Sequence, residues 1–139
     1  AKYFSYNTLF FSYFCNMKHI FILSVLSLLV SCYQVEQNCN YFKTGTYKSE
    51  IIINEVLYTS NFTRSSKIQI EKFNGNIDTA SVRWINDCEM IFKTINPKNR
   101  AERKDIHLKI LTTTNNSYKF EYSYVGETNK RLGQATRIN

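Results

Sequence analysis

Proline is almost missing from this chain, with Pro97 the single example, and only four glycines are present. So few glycines leave no Gly-rich loop to cradle a phosphate, and there is no low-complexity linker that would announce a second domain. Histidine is equally scarce. Beyond residue 31 the only His is His107, and its spacing from Cys88, with Cys39 49 residues before that, matches no recognised zinc pattern, so no metal site and no cofactor is expected. No serine nucleophile motif and no paired carboxylates stand out, and the chain is read as a non-enzyme. No apolar run reaches the roughly 20 residues that a membrane-spanning helix needs. Charge of one sign is not concentrated either. The one basic stretch, Lys98-Asn99-Arg100-Ala101-Glu102-Arg103-Lys104, is interrupted by a Glu and reads as a solvated loop, not a nucleic-acid surface.

What is present begins with an address. Met17-Lys18-His19 is followed by eleven apolar or small residues, Ile20–Val30, and then by Ser31-Cys32. A short charged start, a short apolar run and a small residue before the cut describe a secretory signal over residues 17–31. Residues 1–16 hold Tyr3, Phe4, Tyr6, Phe10, Phe11, Tyr13 and Phe14 with hardly any charge, unlike any secretory start. They read as an upstream extension of the reading frame and are left out of the fold argument.

Leu29-Val30-Ser31-Cys32 resembles the lipobox of bacterial lipoproteins, in which the cysteine becomes the acylated N-terminus. The resemblance implies lipid on Cys32 and attachment to a membrane. Several acyl chains, at about 0.8 kcal/mol per buried methylene, hold a small domain at a bilayer surface. Tyr33 follows the cysteine where inner-membrane retention uses Asp. By the same resemblance the expected location is the cell envelope, anchored at the outer membrane and facing the periplasm.

Removing residues 1–31 of 139 leaves 108, one small domain, and takes away Lys2 and Lys18, lowering the formal charge from +7 to +5. The polar residues 32–40 read as a tether, and 41–139 as the folded domain. That domain alternates with a period of two almost throughout. Tyr118, Phe120, Tyr122 and Tyr124 share one strand face; Ile68 and Ile70 alternate with Lys67, Gln69 and Glu71; Val82 and Trp84 form another pair. Ile106, Leu108 and Ile110 alternate with His107 and Lys109, which puts His107 outward. Asn54-Glu55, Ser65-Ser66, Asn74-Gly75, Asn86-Asp87 and Asn115-Asn116 punctuate the runs, and Asn-Gly is the strongest hairpin signal among them.

The pattern predicts eight strands, Phe42–Ile53, Val56–Arg64, Lys67–Phe73, Ile77–Ile85, Cys88–Ile95, Asp105–Thr113, Tyr118–Val125 and Leu132–Ile138. One helical turn is expected near 97–104. Tight turns between consecutive strands make an all-β antiparallel meander, which escapes exposed edges by closing into a small barrel or a sandwich.

Phe42-Lys43-Thr44-Gly45-Thr46-Tyr47 resembles the Gly-x-Trp signature of lipocalin-like barrels, with Tyr47 in the aromatic position and Arg137 as the late-strand arginine. That resemblance implies a barrel floor closed by an aromatic and an arginine. The chain is also similar to small lipoproteins of flavobacteria and other Bacteroidetes. The similarity rests on Ser31-Cys32-Tyr33-Gln34, Asn38-Cys39, Phe42–Thr46, Arg83–Glu89 and Lys109–Thr114. Some members of that group carry the automatic name DNA topoisomerase IV. That activity needs an ATPase module, an acidic metal site and a tyrosine on a DNA-gripping domain, for which residues 32–139 have no room.

With Cys32 lipidated and Cys15 upstream, Cys39 and Cys88 remain. An oxidising periplasm permits a disulfide between them; two reduced thiols are the alternative. The expected role is binding, not catalysis. A small apolar ligand would sit between the aromatic strands, with Tyr47, Trp84, Phe120 and Tyr122 as wall residues. The alternative is a filled barrel whose outer face docks an envelope protein.

Overall fold

The structure, a computed structural model, describes residues 37–138; residues 1–16, the expected signal segment 17–31, Cys32 with its expected lipid and most of the expected tether lie outside the described residues. A 3-10 turn, η1 (Cys39–Phe42), leads into eight strands: β1 (Gly45–Ile53), β2 (Val56–Arg64), β3 (Ile68–Phe73), β4 (Asn76–Asn86), β5 (Glu89–Thr94), β6 (Ile106–Thr113), β7 (Ser117–Tyr124) and β8 (Arg131–Arg137). Each pairs antiparallel with the next, and β8 pairs with β1, so the sheet closes into a barrel. Closure removes every sheet edge, the outcome the meander pattern calls for.

The turns explain the connectivity. Asn54 and Glu55 have φ of 50° and 66°, and Asn74 and Gly75 have φ of 47° and 80°. Positive φ at both central residues gives a hairpin whose twist matches the strands it joins. Ile53 therefore faces Val56, and Phe73 faces Asn76. The sequence-expected strands agree with the observed ones to within a few residues at each end.

Two local expectations are corrected. Phe42, read as the start of the first strand, belongs to η1 and is fully buried. The strand begins only at Gly45, whose φ of 135° redirects the chain into the sheet. The turn expected over 97–104 is not helical. It is a hydrogen-bonded turn, Lys104 N–H donating to the Ala101 carbonyl at 3.2 Å, braced by side chains, with Glu102 N–H donating to Asn99 Oδ1 at 3.0 Å and Lys98 N–H donating to Glu102 Oε2 at 2.7 Å.

The two ends of the barrel differ. β1, β3, β5 and β7 start at one end, which η1 covers; the hairpin turns at 54–55 and 74–75 and the loops at 95–105 and 125–130 surround the other. A disulfide joins Cys39 of η1 to Cys88 before β5, with their Cα atoms 5.2 Å apart, and ties the cover to the wall. Gln37 Nε2 donates to the Leu111 carbonyl, and Asn38 N–H donates to Thr113 Oγ1 at 3.0 Å. Leu111 and Ile85 sit where the register shifts in β6 and β4, bulges that bend the strands around this end. The fully buried large side chains, Phe42, Tyr47, Met90, Ile110 and Tyr118, fill this floor.

β3 faces the opposite way from what its isoleucines suggest. Ile68 and Ile70 are exposed on the outside, whereas Gln69 and Glu71 line the interior. Register is the reason. Phe62 pairs with Glu71 and Arg64 with Gln69, and directly opposed residues share a face. Burying Phe62 carries both polar side chains inside.

Candidate functional site

An eight-stranded barrel has an interior just wide enough to be filled by side chains or to hold one small ligand. Here the floor is filled and the upper part is not. A cavity of about 310 Å³ opens toward the loop end, at the small end of the range for ligand sites. Its apolar wall is made by Ile51, Phe62, Ala80, Phe92, Ile106, Leu108, Phe120 and Tyr122. Polar groups enter at three levels. Arg64, Gln69 and Tyr118 lie at the floor, Ser49 and Glu71 partway up, and Asp78, Thr94 and Glu102 toward the rim.

Strand order explains the floor. Arg64 ends β2 and Tyr118 begins β7, so both lie beside η1, and the closed barrel brings them together. Arg64 is only 2 % exposed. Its Nε donates to Gln69 Oε1 at 2.8 Å, its Nη2 to Tyr118 Oη at 3.0 Å and its Nη1 to the Phe42 carbonyl at 3.5 Å. Five aromatic rings surround the guanidinium, the closest being Phe62 at 4.9 Å and Phe92 at 5.5 Å from ring centroid to Cζ. Such contacts offset part of the cost of a desolvated cation. Burial pushes the Tyr118 phenol above its ordinary range, so Tyr118 keeps its proton.

Below this layer Arg137 closes the barrel end. Its Nη2 donates to Tyr47 Oη at 2.9 Å and to the carbonyls of Tyr41 at 2.5 Å and Thr44 at 2.9 Å, with the guanidinium 5.2 Å from the Tyr47 ring centroid. Tyr47 in turn donates to the Thr44 carbonyl at 2.8 Å. Burial raises the Tyr47 phenol, against the lowering influence of Arg137.

The sequence-derived wall residues fall into two groups. Phe120 and Tyr122 line the cavity. Tyr47 is fully buried in the floor, stacked on Phe62 at 5.0 Å, and Trp84 packs at the edge of the core with Lys43 Nζ 5.3 Å from its ring. The Trp84 indole N–H is buried with no hydrogen-bond partner among the described residues. Cys39 and Cys88 are bonded to each other, and Cys32 lies outside the described residues.

Arg64, Gln69 and Glu71 were missed as interior groups. A signal existed. Ser60-x-Phe62-x-Arg64 alternates in phase, and folding that hairpin across Ser65-Ser66 puts Gln69 and Glu71 on the same face. The exposed isoleucines of β3 masked it.

On the outer surface, His107 Nε2 lies 3.0 Å from Glu89 Oε2, and Lys109 Nζ lies 3.6 Å from Glu89 Oε1. Partial burial works to raise Glu89, but hydrogen bonds from His107 and Asn86 and the charge of Lys109 hold it below its ordinary value. Among the described residues no cluster of three or more His, Cys, Asp or Glu is placed to hold a metal ion.

No family model, curated protein or solved structure matches this chain.

Proposed function

We propose that the chain is an envelope lipoprotein, anchored through lipid on Cys32, whose barrel binds a small, largely apolar ligand without catalysing a reaction. The observation that carries this reading is the cavity of about 310 Å³ inside a closed barrel, walled by Phe62, Phe92, Leu108, Phe120 and Tyr122. An interior left open costs packing energy that a filled core would recover, which is the usual mark of a ligand site. The floor is held by hydrogen bonds, stacked rings and the disulfide, so the cavity has a firm base and one open end.

Native mass spectrometry tests the reading on the full chain, isolated in a nonionic detergent of known mass. Excess mass that is no multiple of the detergent, and that leaves on denaturation, is the expected result. A bare protein mass, together with no uptake of added apolar ligands, would overturn it in favour of docking an envelope protein. The exposed outer-face residues Ile52, Leu57 and Leu132, at 67 %, 57 % and 63 %, favour that second reading.

A further inference from the structure

From the floor of the cavity we infer that its ligand is an amphipathic monoanion, a fatty-acid-like carboxylate, seated head-down on Arg64 and Tyr118 with its chain running toward the loop end. The inference rests on the ligand-cavity reading above and adds the charge and orientation of what is bound.

Arg64 carries a full charge that is 2 % exposed, and among the described residues no carboxylate oxygen lies within 4.0 Å of it. Its protein partners are an amide oxygen, a phenol and a backbone carbonyl, all neutral. Buried charges are ordinarily paired with an opposite charge, because desolvation is otherwise uncompensated. Tyr118 adds a second argument. Its hydroxyl accepts from Arg64, and its own proton has no acceptor among the described residues although the side chain is 1 % exposed. A cation and an unused O–H donor, both in the cavity wall, match the acceptor oxygens of one carboxylate.

The carboxylates that share the cavity are already engaged. Glu71 accepts from the neutral Ser60 Oγ, stands diagonally across the hairpin from Arg64, and is near enough for its charge to act on Tyr118, so a ligand head has to seat on the Arg64–Tyr118 side away from it. Asp78 lies 3.7 Å from Lys98 Nζ, and Glu102 accepts from Lys98 N–H and Asn99 Nδ2 at 2.7 Å each. Between floor and rim Phe92, Leu108, Phe120, Ile106 and Tyr122 form an apolar wall that suits an alkyl chain, with Ser49 and Glu71 the polar groups at that level.

The test is titration calorimetry at pH 7 on the full chain, freed of co-purified amphiphile by denaturation and refolding. Decanoate, 1-decanol and decylammonium share a chain and differ in head. Decanoate should bind at least about tenfold tighter than decanol, and decylammonium weakest, a ratio that corresponds to roughly 1.4 kcal/mol. Arg64 is buried, so its removal risks the fold. Gln69→Glu keeps it and supplies a carboxylate at the position of the 2.8 Å contact to Arg64 Nε. That variant should abolish the preference for the carboxylate head, so that the affinity ratio of decanoate to decanol falls to about one. Equal binding of all three heads, tightest binding of decylammonium, or an undiminished decanoate preference in Gln69→Glu would overturn the head-group inference and leave the apolar cavity standing. Binding of none of the three would overturn both.

Discussion

The ring of Phe120 lies directly against Gly133, its partner across β7 and β8, and a Cβ built on Gly133 would stand 2.5 Å from Phe120 Cζ and 2.9 Å from Ile51 Cγ1. The absent side chain is what lets the ring lie there. Gly133→Ala should therefore push Phe120 and Ile51 into the cavity they both line. The expected cost is about 1–3 kcal/mol of overpacking, partly offset by the lower chain entropy of the unfolded alanine variant. Urea denaturation reads the loss, and ligand uptake should fall with it. An unchanged midpoint would mean that the wall yields freely at this point.

The floor rests on Arg137 and Tyr47. Tyr47→Phe removes one donor and one acceptor, while Arg137 keeps two backbone carbonyls, so about 1 kcal/mol should be lost. Arg137→Met strips the partner from those carbonyls and should cost about 3 kcal/mol. The double variant should fall short of the sum by about 1 kcal/mol, because the two groups act on one another. A strictly additive pair, measured by denaturant unfolding, would refute the coupling.

Reduction of Cys39–Cys88 opens a closed loop with a sequence separation of 49. Loop-closure entropy gives about 4 kcal/mol for that length, and a loss of 2–4 kcal/mol is expected on adding a reductant or in Cys39→Ser/Cys88→Ser. Intact-mass spectra of the oxidised chain should be two hydrogens lighter for this pair. Stability indifferent to reductant would show that η1 stays docked through Phe42 and its neighbours alone.

Glu89 gives the fold an acid-sensitive contact. Its native pKa is held below 4.5, so its ionised form is favoured more in the folded than in the unfolded chain. The stability it supplies is complete above about pH 4.5 and is lost as the pH falls through the lower native value. Glu89→Gln should flatten that part of the acid limb of a stability-against-pH profile, at a cost near pH 7 of about 1 kcal/mol. A limb of unchanged shape would place the acid sensitivity elsewhere.

Strand number, order and turns were legible because they are encoded locally. Tyr118-x-Phe120-x-Tyr122 declares its own periodicity, and Asn74-Gly75 adopts the positive φ values that its residue types tolerate. Counting cysteines made Cys39 and Cys88 the candidate pair but left two reduced thiols open; the bond itself appears only where η1 folds against the start of β5. Phe42 was harder. It continues an apolar pattern into β1, and only the turn at Gly45 separates it from the strand and drops it into the floor.

The sequence by itself determined eight antiparallel strands and the chain positions of their turns, since alternation and turn chemistry act over a few residues. Only the tertiary structure decided that Gln69 and Glu71 point inward, that Phe120 and Tyr122 border a cavity while Tyr47 sits beneath it, and that Arg64 is buried beside Tyr118. Those outcomes depend on register and closure, which bring together residues 54 positions apart in the chain, and no local pattern carries that distance.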